Sequence, residues 1–426
     1  MKTRFLLGVV VVVGLCLTLP FPSQRVLSFF SEVVQPVYAQ GSADTKFWVF
    51  DGHLHPWASG YRRGGNWGDP DFSPQFTLPK AIEGGLGAAF FNTSADEFFE
   101  ANHIAVKEIL EQFDHLYGQI ARYPDQIAVA TNAAEVRWLR REGKIAAIVA
   151  IEGAMAIERN FGVLRMLHRL GLREMNLVHN MEHYTGDGMY STKNNGLGSG
   201  LTTFGRELVA ELNRLGILID LSHMAEQTIW DSIAASTQPL VTTHSGVRAL
   251  NNRPGNWSND MIQALANKGG VICVCFLPQQ VSPEYDGKWH GGQPRGSGIM
   301  RGVMDMESLV YREDPTTIYD FIRERTSGGE ERRVRVSRER RPDMPPLSKL
   351  IDSIDHIVRL VGVDHVGISS DWGGYSVNIQ GIENAGEYQN VAQALLQRGY
   401  SREDVAKIMG ENVLRVFEEV TSTTQN

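Results

Sequence analysis

TTFGRELVAELNRLG (202–216) leads directly into GILIDLSH (216–223), and this junction decides the fold. The first stretch is amphipathic, as expected of a helix with one buried face. The second is a short apolar run that ends in polar residues. It is too short for a typical helix and reads as a buried strand. The unit recurs on both sides. Strand-like runs are WVFDGHLH (48–55), GLGAAFFNTS (85–94), KIAAIVAIEG (144–153), REMNLVHN (173–180), PLVTTHSG (239–246), GGVICVCF (269–276) and DHVGISSDWGG (364–374). Amphipathic stretches between them include residues 105–123, 258–270 and 347–362. In the last, Leu347, Leu350, Ile351, Ile354, Ile357 and Val358 follow the i, i+3, i+4, i+7 spacing.

Strands alternating with helices in this way, over about 370 residues, point to an α/β chain folded as a (β/α)8 TIM-like barrel. A doubly wound open sheet is the alternative. It is disfavoured because polar, ligand-type residues close nearly every strand and do not cluster at one switch point. IAVATNA (127–133) has the character of a further short strand with no evident place in the repeat. Two segments depart from the pattern: residues 60–75, a long loop after the first strand, and residues 277–346, an insertion after the seventh. The insertion contains a charged run from Glu324 to Arg341, which reads as a solvated face.

The chain has 426 residues, with 41 basic and 49 acidic, for a formal net charge of −8. That acid excess argues against a nucleic-acid partner. Lys2 and Arg4 precede an apolar run, Phe5 to Leu19, of signal-peptide length. Val37-Tyr38-Ala39 is a candidate cleavage site, and an uncleaved membrane anchor is the rival reading. The expected organisation is therefore a signal peptide or anchor at 1–39 and a barrel over 40–426, exported to the periplasm or the extracellular space. Segment 1–39 carries a net +2, so its loss takes the chain from −8 to −10. Of three cysteines, Cys16 lies in that segment. Cys273 and Cys275 are two apart on one strand and read as buried core thiols.

With so few thiols, any metal here is held by imidazole and carboxylate. Strand ends carry His53, His55, Glu152, His179, His223, His244 and Asp371. In a barrel such ends converge on one mouth. His53 and His55 are spaced i, i+2 and share a strand face. Glu152 ends an apolar strand, where an unpaired carboxylate is strongly disfavoured. His223 and His244 end consecutive strands and can share a second ion. Zinc suits these donors best, with manganese, cobalt or iron as alternatives. Asp371 reads either as the partner of a histidine ligand or as a general acid/base. The sequence has no HExxH helix, no GxSxG elbow and no phosphate loop. Ser222 and Ser245 flank histidines, but adjacent strand residues face opposite sides, which argues against a serine triad.

These segments resemble the membrane dipeptidases of peptidase family M19, from about residue 48 to residue 418 apart from the insertion. DGHLHPW (51–57), IEG (151–153), NLVHN (176–180), GLTTFGRELVAELNRLGILIDLSH (200–223), THSGVRAL (243–250), IDHIVRLVGVDHVGISSDWGG (354–374) and GENVLRVFEEV (410–420) carry the likeness. The resemblance implies a barrel of the metal-dependent hydrolase type with two divalent metal ions, usually zinc, and a dipeptide-like small-molecule substrate. It implies that His53 and His55 bind the first metal, Glu152 bridges both, and His223 and His244 bind the second. His179 then contacts the substrate carbonyl, Asp371 serves the reacting water, and Arg253, ahead of Arg248, binds the substrate carboxylate.

Two motifs depart from the family. His53-Leu54-His55 stands where His-x-Asp is usual, and Asp371-Trp372-Gly373-Gly374 where Asp-Phe-Asp-Gly is usual. The same metal site acting on another amide, lactam, lactone or ester, or a metal-binding protein without dipeptidase activity, are the alternatives. Membrane attachment through the N-terminal segment and homodimer formation stay open.

Overall fold

The structure is a computed structural model that describes residues 46–56, 65–95, 97–285, 344–375 and 377–422. The strands are β1 (Val49–Leu54), β2 (Leu86–Ser94), β3 (Ile127–Val129), β4 (Ile145–Glu152), β5 (Leu172–Asn176), β6 (Leu218–Asp220), β7 (Val241–Val247), β8 (Asn256–Trp257), β9 (Val271–Cys275) and β10 (Val366–Ser369). Pairing of β2 with both β1 and β4 closes a ring in the order β1-β2-β4-β5-β6-β7-β9-β10, parallel throughout. This is the expected (β/α)8 barrel, built from the eight runs read as strands.

The short run at 127–133 also finds its place. β3 pairs with Ile145, Ala146 and Ala147 at the start of β4, and β5 takes over the same edge from Val149 onward. It is an annex to the ring, as is β8, which pairs only with β7.

Helices α1 (Leu78–Gly84), α2 (Ala105–Arg122), α3 (Ala133–Arg141), α4 (Phe161–Arg169), α5 (Thr203–Leu215), α6 (Glu226–Ala235), α7 (Asn259–Asn267), α8 (Ser348–Val361), α9 (Tyr388–Arg398) and α10 (Asn412–Thr421) alternate with the strands. The junction at 202–223 shows why the boundaries fall where they do. The Thr202 side chain accepts from Gly205 N and opens α5, and Gly216 ends it at φ 66. Only glycine adopts that conformation without strain, so the chain turns there into β6.

Alternate strand residues serve two cores. Phe50, Phe90, Ile148, Leu218, Val271 and Cys273 belong to one apolar cluster that also contains Val413 and Phe417 of α10. A Cβ placed on Gly52 would lie 2.8 Å from the Thr243 carbonyl oxygen and 3.0 Å from Cys273 Sγ, across the ring. That cluster is therefore the barrel interior, and α10 seals the end where the strands begin. Phe417 is fully buried there, and burial of such a side chain stabilises by about 1.5–3 kcal/mol. The opposite strand faces, such as Val49, Phe91, Val149 and Ile219, pack against the helices in a second, larger cluster.

Cys273 and Cys275 are free and buried, and burial pushes both thiols well above their ordinary range. Both are core residues, as expected.

Residues 1–45 lie outside the described residues, and with them the expected signal peptide or anchor and Cys16. So do residues 57–64 of the first long loop and 286–343 of the insertion, including its charged run. The described flanks of the insertion, Tyr285 and Met344, pack with Val377 and Tyr375 in a small apolar cluster. Both stems thus enter beside the turn that follows Asp371. Among the described residues no helix is long and apolar enough to cross a membrane.

Candidate metal centre and active site

The strand ends converge on one carboxylate. Glu152 closes β4, and five imidazoles surround it. His223 Nε2 lies 3.0 Å, His244 Nε2 3.4 Å and His53 Nε2 3.7 Å from Glu152 Oε1. His55 Nε2 lies 3.3 Å and His179 Nε2 3.9 Å from Oε2. Asp371 Oδ1 stands 3.9 Å from His55 Nε2. The donor atoms fall into three overlapping sets able to hold an ion: His53, Glu152 and His244; His53, His55 and Asp371; Glu152, His179 and His223. All seven strand-end residues singled out in the sequence thus meet in one place.

The local backbone explains how they get there. Asp51 on β1, Asn176 on β5 and Asp220 on β6 each accept, through Oδ1, the backbone N–H two residues ahead, at 3.1, 2.8 and 3.0 Å. Asn176 and Asp220 bend the chain where β5 and β6 end, and Asp51 acts within β1, so that His179, His223 and His53 are delivered into the mouth. His223 and Asp371 lie beyond the ends of β6 and β10, in the left-handed region at φ 64 and φ 51. That conformation costs a non-glycine residue about 1–2 kcal/mol, and such strain clusters at functional sites. The turn after Asp371 leaves no room for side chains. A Cβ on Gly373, at φ 92, would lie 1.9 Å from the His55 carbonyl oxygen, and one on Gly374 would lie 2.4 Å from Asp371 Oδ1.

The first and last strands meet at this point. Asp371 N donates to His53 O and His55 N donates to Trp372 O, both at 2.8 Å. Asp51 Oδ1 also accepts from Ser370 N at 2.8 Å, and Tyr388 donates its hydroxyl to Asp51 Oδ2.

Behind the Nε2 atoms, each Nδ1 lies within hydrogen-bond distance of a polar group. His55 Nδ1 donates to the Asn92 carbonyl oxygen at 3.2 Å, and His223 Nδ1 donates to Asn180 Oδ1 at 2.9 Å. A proton held at Nδ1 leaves the Nε2 lone pair free to bind an ion. His53 and His55 bring their Nε2 atoms to 2.9 Å, and His223 and His244 theirs to 2.7 Å. Each pair is close enough to share a proton, or to converge on a metal ion when both Nδ1 atoms carry hydrogen. The residues present therefore fit a divalent metal centre.

Charge is graded across the site. Burial pushes Glu152 up, but His179, His223 and His55 outweigh it and hold the carboxyl well below its usual range. Burial, reinforced by the neighbouring imidazoles, drives His53 and His244 far down, into the neutral form that binds metal. Burial acts likewise on His55 and His223, but Glu152 and Asp371 overcome it and raise both. Asp371 is pushed up to about 7 by burial, with His55 opposing and Glu152 reinforcing.

The two candidate arginines differ. Arg248 is committed to Glu226 at 2.7 Å and to the Asn256 carbonyl. Arg253 is buried in the loop after β7, close enough to act on Cys275, which also feels Asp371. Ser222 Oγ donates to Asp220 and Ser245 Oγ to the Gly255 carbonyl, so neither serves a histidine ring. Asn92, Asn176, Asn180, Thr243, Asp51 and Asp220 support the site and are not among the residues singled out in the sequence. The Asx residue two or three positions before a strand-end histidine (DGH, NLVH, DLSH) is the signal that finds three such supports: Asp51, Asn176 and Asp220.

The chain is similar to known proteins. A family model for the membrane dipeptidases, peptidase family M19, matches residues 42–426. Dipeptidase tcpJ of Claviceps purpurea (strain 20.1) is 28% identical over 357 residues, which cover 82% of this chain and 70% of that protein. The solved structure of the probable dipeptidase PvdM from Pseudomonas aeruginosa is 26% identical with a TM-score of 0.69, covering 89% of this chain and 96% of that one. A metallo peptidase from Rhodobacter sphaeroides, solved with a phosphinate mimic of the dipeptide L-Ala-D-Ala, shares the fold at 23% identity and a TM-score of 0.68. The match covers 88% of this chain and 100% of that one. The chain belongs to the membrane dipeptidase family, peptidase family M19, and is an enzyme of the metallo-dipeptidase type.

Proposed function

We propose that this chain hydrolyses dipeptides or dipeptide-like amides at a centre of two divalent ions, with zinc the best match to its nitrogen and oxygen donors. The convergence of five imidazoles on the Glu152 carboxylate carries this reading. His53 and His55 would hold one ion and His223 and His244 the other, with Glu152 shared by the two. When bound, the two ions supply the positive charge that acidifies a water and polarises the scissile carbonyl.

The other steps belong to side chains. Asp371, 3.9 Å from His55 at the mouth of the site, takes a proton from the attacking water and returns it to the leaving amine. His179, the most exposed of the five imidazoles at 27%, faces the substrate and donates to its carbonyl oxygen as charge develops there. Arg253 pairs with the substrate's terminal carboxylate, a task suited to a planar guanidinium. The dipeptide mimic bound to the Rhodobacter sphaeroides relative supports this substrate class.

We also infer that residues 1–39 direct export or anchor the chain, and that residues 40–426 form one barrel with the insertion at 277–346.

The test is a dipeptide panel that includes L-Ala-D-Ala, run on protein stripped by a chelator and reloaded with zinc. Hydrolysis lost on stripping and regained on reloading is expected. If the reloaded protein cleaves no dipeptide, the reading fails, and lactams, lactones and esters in the same panel identify the alternative substrate.

A further inference from the structure

Beneath the metal centre lies a hydroxyl that nothing in the proposed chemistry uses. Thr243, on β7, is fully buried, as is Asp220 on β6. Thr243 Oγ1 donates to Asp220 Oδ2 at 2.7 Å. Asp220 Oδ1 is already occupied, accepting from Thr243 N at 2.8 Å, Ser222 N at 3.0 Å and Ser222 Oγ at 2.7 Å. The Thr243 hydrogen is thus committed to the carboxylate, and its two lone pairs point elsewhere. They face His244 Nδ1 at 2.9 Å and His53 Nδ1 at 3.2 Å.

We propose that Thr243, oriented by Asp220, is a positioning residue shared by the two metal positions. It holds His53 of one and His244 of the other in the tautomer whose Nε2 is free to bind an ion. A hydroxyl with its proton given away can only accept, so both Nδ1 atoms must carry hydrogen. The two rings lie tilted by 44°, with centroids 3.9 Å apart, over this one atom. The Asn92 side-chain amide also meets His53 Nδ1, at 3.0 Å, while its Oδ1 has no partner. A hydrogen on Nδ1 requires the amide oxygen at that contact, an orientation that gives up the 3.4 Å bond from Asn92 Nδ2 to the Phe90 carbonyl. Support of an imidazole ligand through its other nitrogen is worth about 10–100-fold in metal affinity. A single shared atom makes that support common to both ions.

This inference rests on the two-metal reading, and the experiment separates them. Stripped wild type, Thr243→Val and Thr243→Ser are titrated with cobalt(II) against a chromophoric chelator, with the visible cobalt spectrum and the apo melting temperature recorded. Thr243→Val is expected to bind both ions about 10–100-fold more weakly, with Thr243→Ser restoring near wild-type affinity. A merely structural role would lower the melting temperature without the serine rescue of both affinities. Asp220→Asn, which presents a donor to Thr243 and turns its hydrogen toward the rings, is expected to weaken both ions as well. It serves if the valine variant does not fold. Wild-type affinity in Thr243→Val and Asp220→Asn, or loss at one ion alone, overturns the shared role. Failure of the wild type to bind cobalt overturns the metal reading itself.

Discussion

Replacing Glu174 with methionine should stabilise the protein, and should do so more as pH rises. Glu174 lies on β5 and is fully buried, and neither carboxyl oxygen has a hydrogen-bond partner among the described residues. Burial pushes its pKa well above 4.5, and the nearby carboxylates of Asp220 and Glu152 add to the shift. In the unfolded chain the group ionises above its ordinary value, while in the native state it keeps its proton. The folded form therefore binds more protons, and stability falls as pH climbs from the unfolded pKa toward the native one. One such group changes stability by at most about 1.4 kcal/mol per pH unit in that window. Methionine has similar length and no charge to desolvate. Near pH 4.5 the variant should differ from wild type only by the cost of an unpaired neutral carboxyl, about 1–3 kcal/mol. At pH 8 the gap should be wider. Urea denaturation of both proteins at pH 5, 6.5 and 8 measures it. A variant less stable than wild type, or a gap that does not change with pH, would refute the reasoning.

Other outcomes follow from the same geometry. Asp371→Asn should lower kcat by about 100–10,000-fold with metal content unchanged, and full activity at full metal loading would remove Asp371 from the chemistry. Gly373→Ala should lose at least about 1–2 kcal/mol to left-handed strain, with more from the clash at the His55 carbonyl, as read from the melting temperature. Wild-type stability would show that the turn relaxes freely. Arg253→Met should lower kcat/KM by about 10–100-fold, the worth of a charge-assisted hydrogen bond. Arg248→Met should change it little, because Arg248 is committed to Glu226. His55→Asp replaces an imidazole with a carboxylate and adds a negative charge. Tighter binding of one ion in chelator competition and a pH–rate profile moved to higher pH are expected.

The barrel was legible because its signals are local. Each strand is a short apolar run between amphipathic helices, and the ring order follows chain order except for two annexes. β3 could not be placed because its three-residue pairing with β4 ends where β5 takes over, a matter of register that composition does not encode. The seven convergent side chains were legible from position, since each ends a strand. Their supports were not. Thr243 is one hydroxyl in the run VTTHSG, and only its contacts with Asp220, His53 and His244 distinguish it from Thr242. The left-handed backbone of His223 and Asp371 also left no mark, because neither residue type requires it.

The bond between the first and last strands has a consequence for the order of events in the cell. Asp371 N reaches back to His53 O across a sequence gap of more than 300 residues, and α10, which seals the interior, is made later still. Contacts so distant along the chain form late. A partly synthesised chain carries His53 and His55 but neither Asp371 nor a sealed barrel to hold them. Metal loading is thus expected to follow folding and not to seed it, and hydrolysis begins only once the last strand has docked.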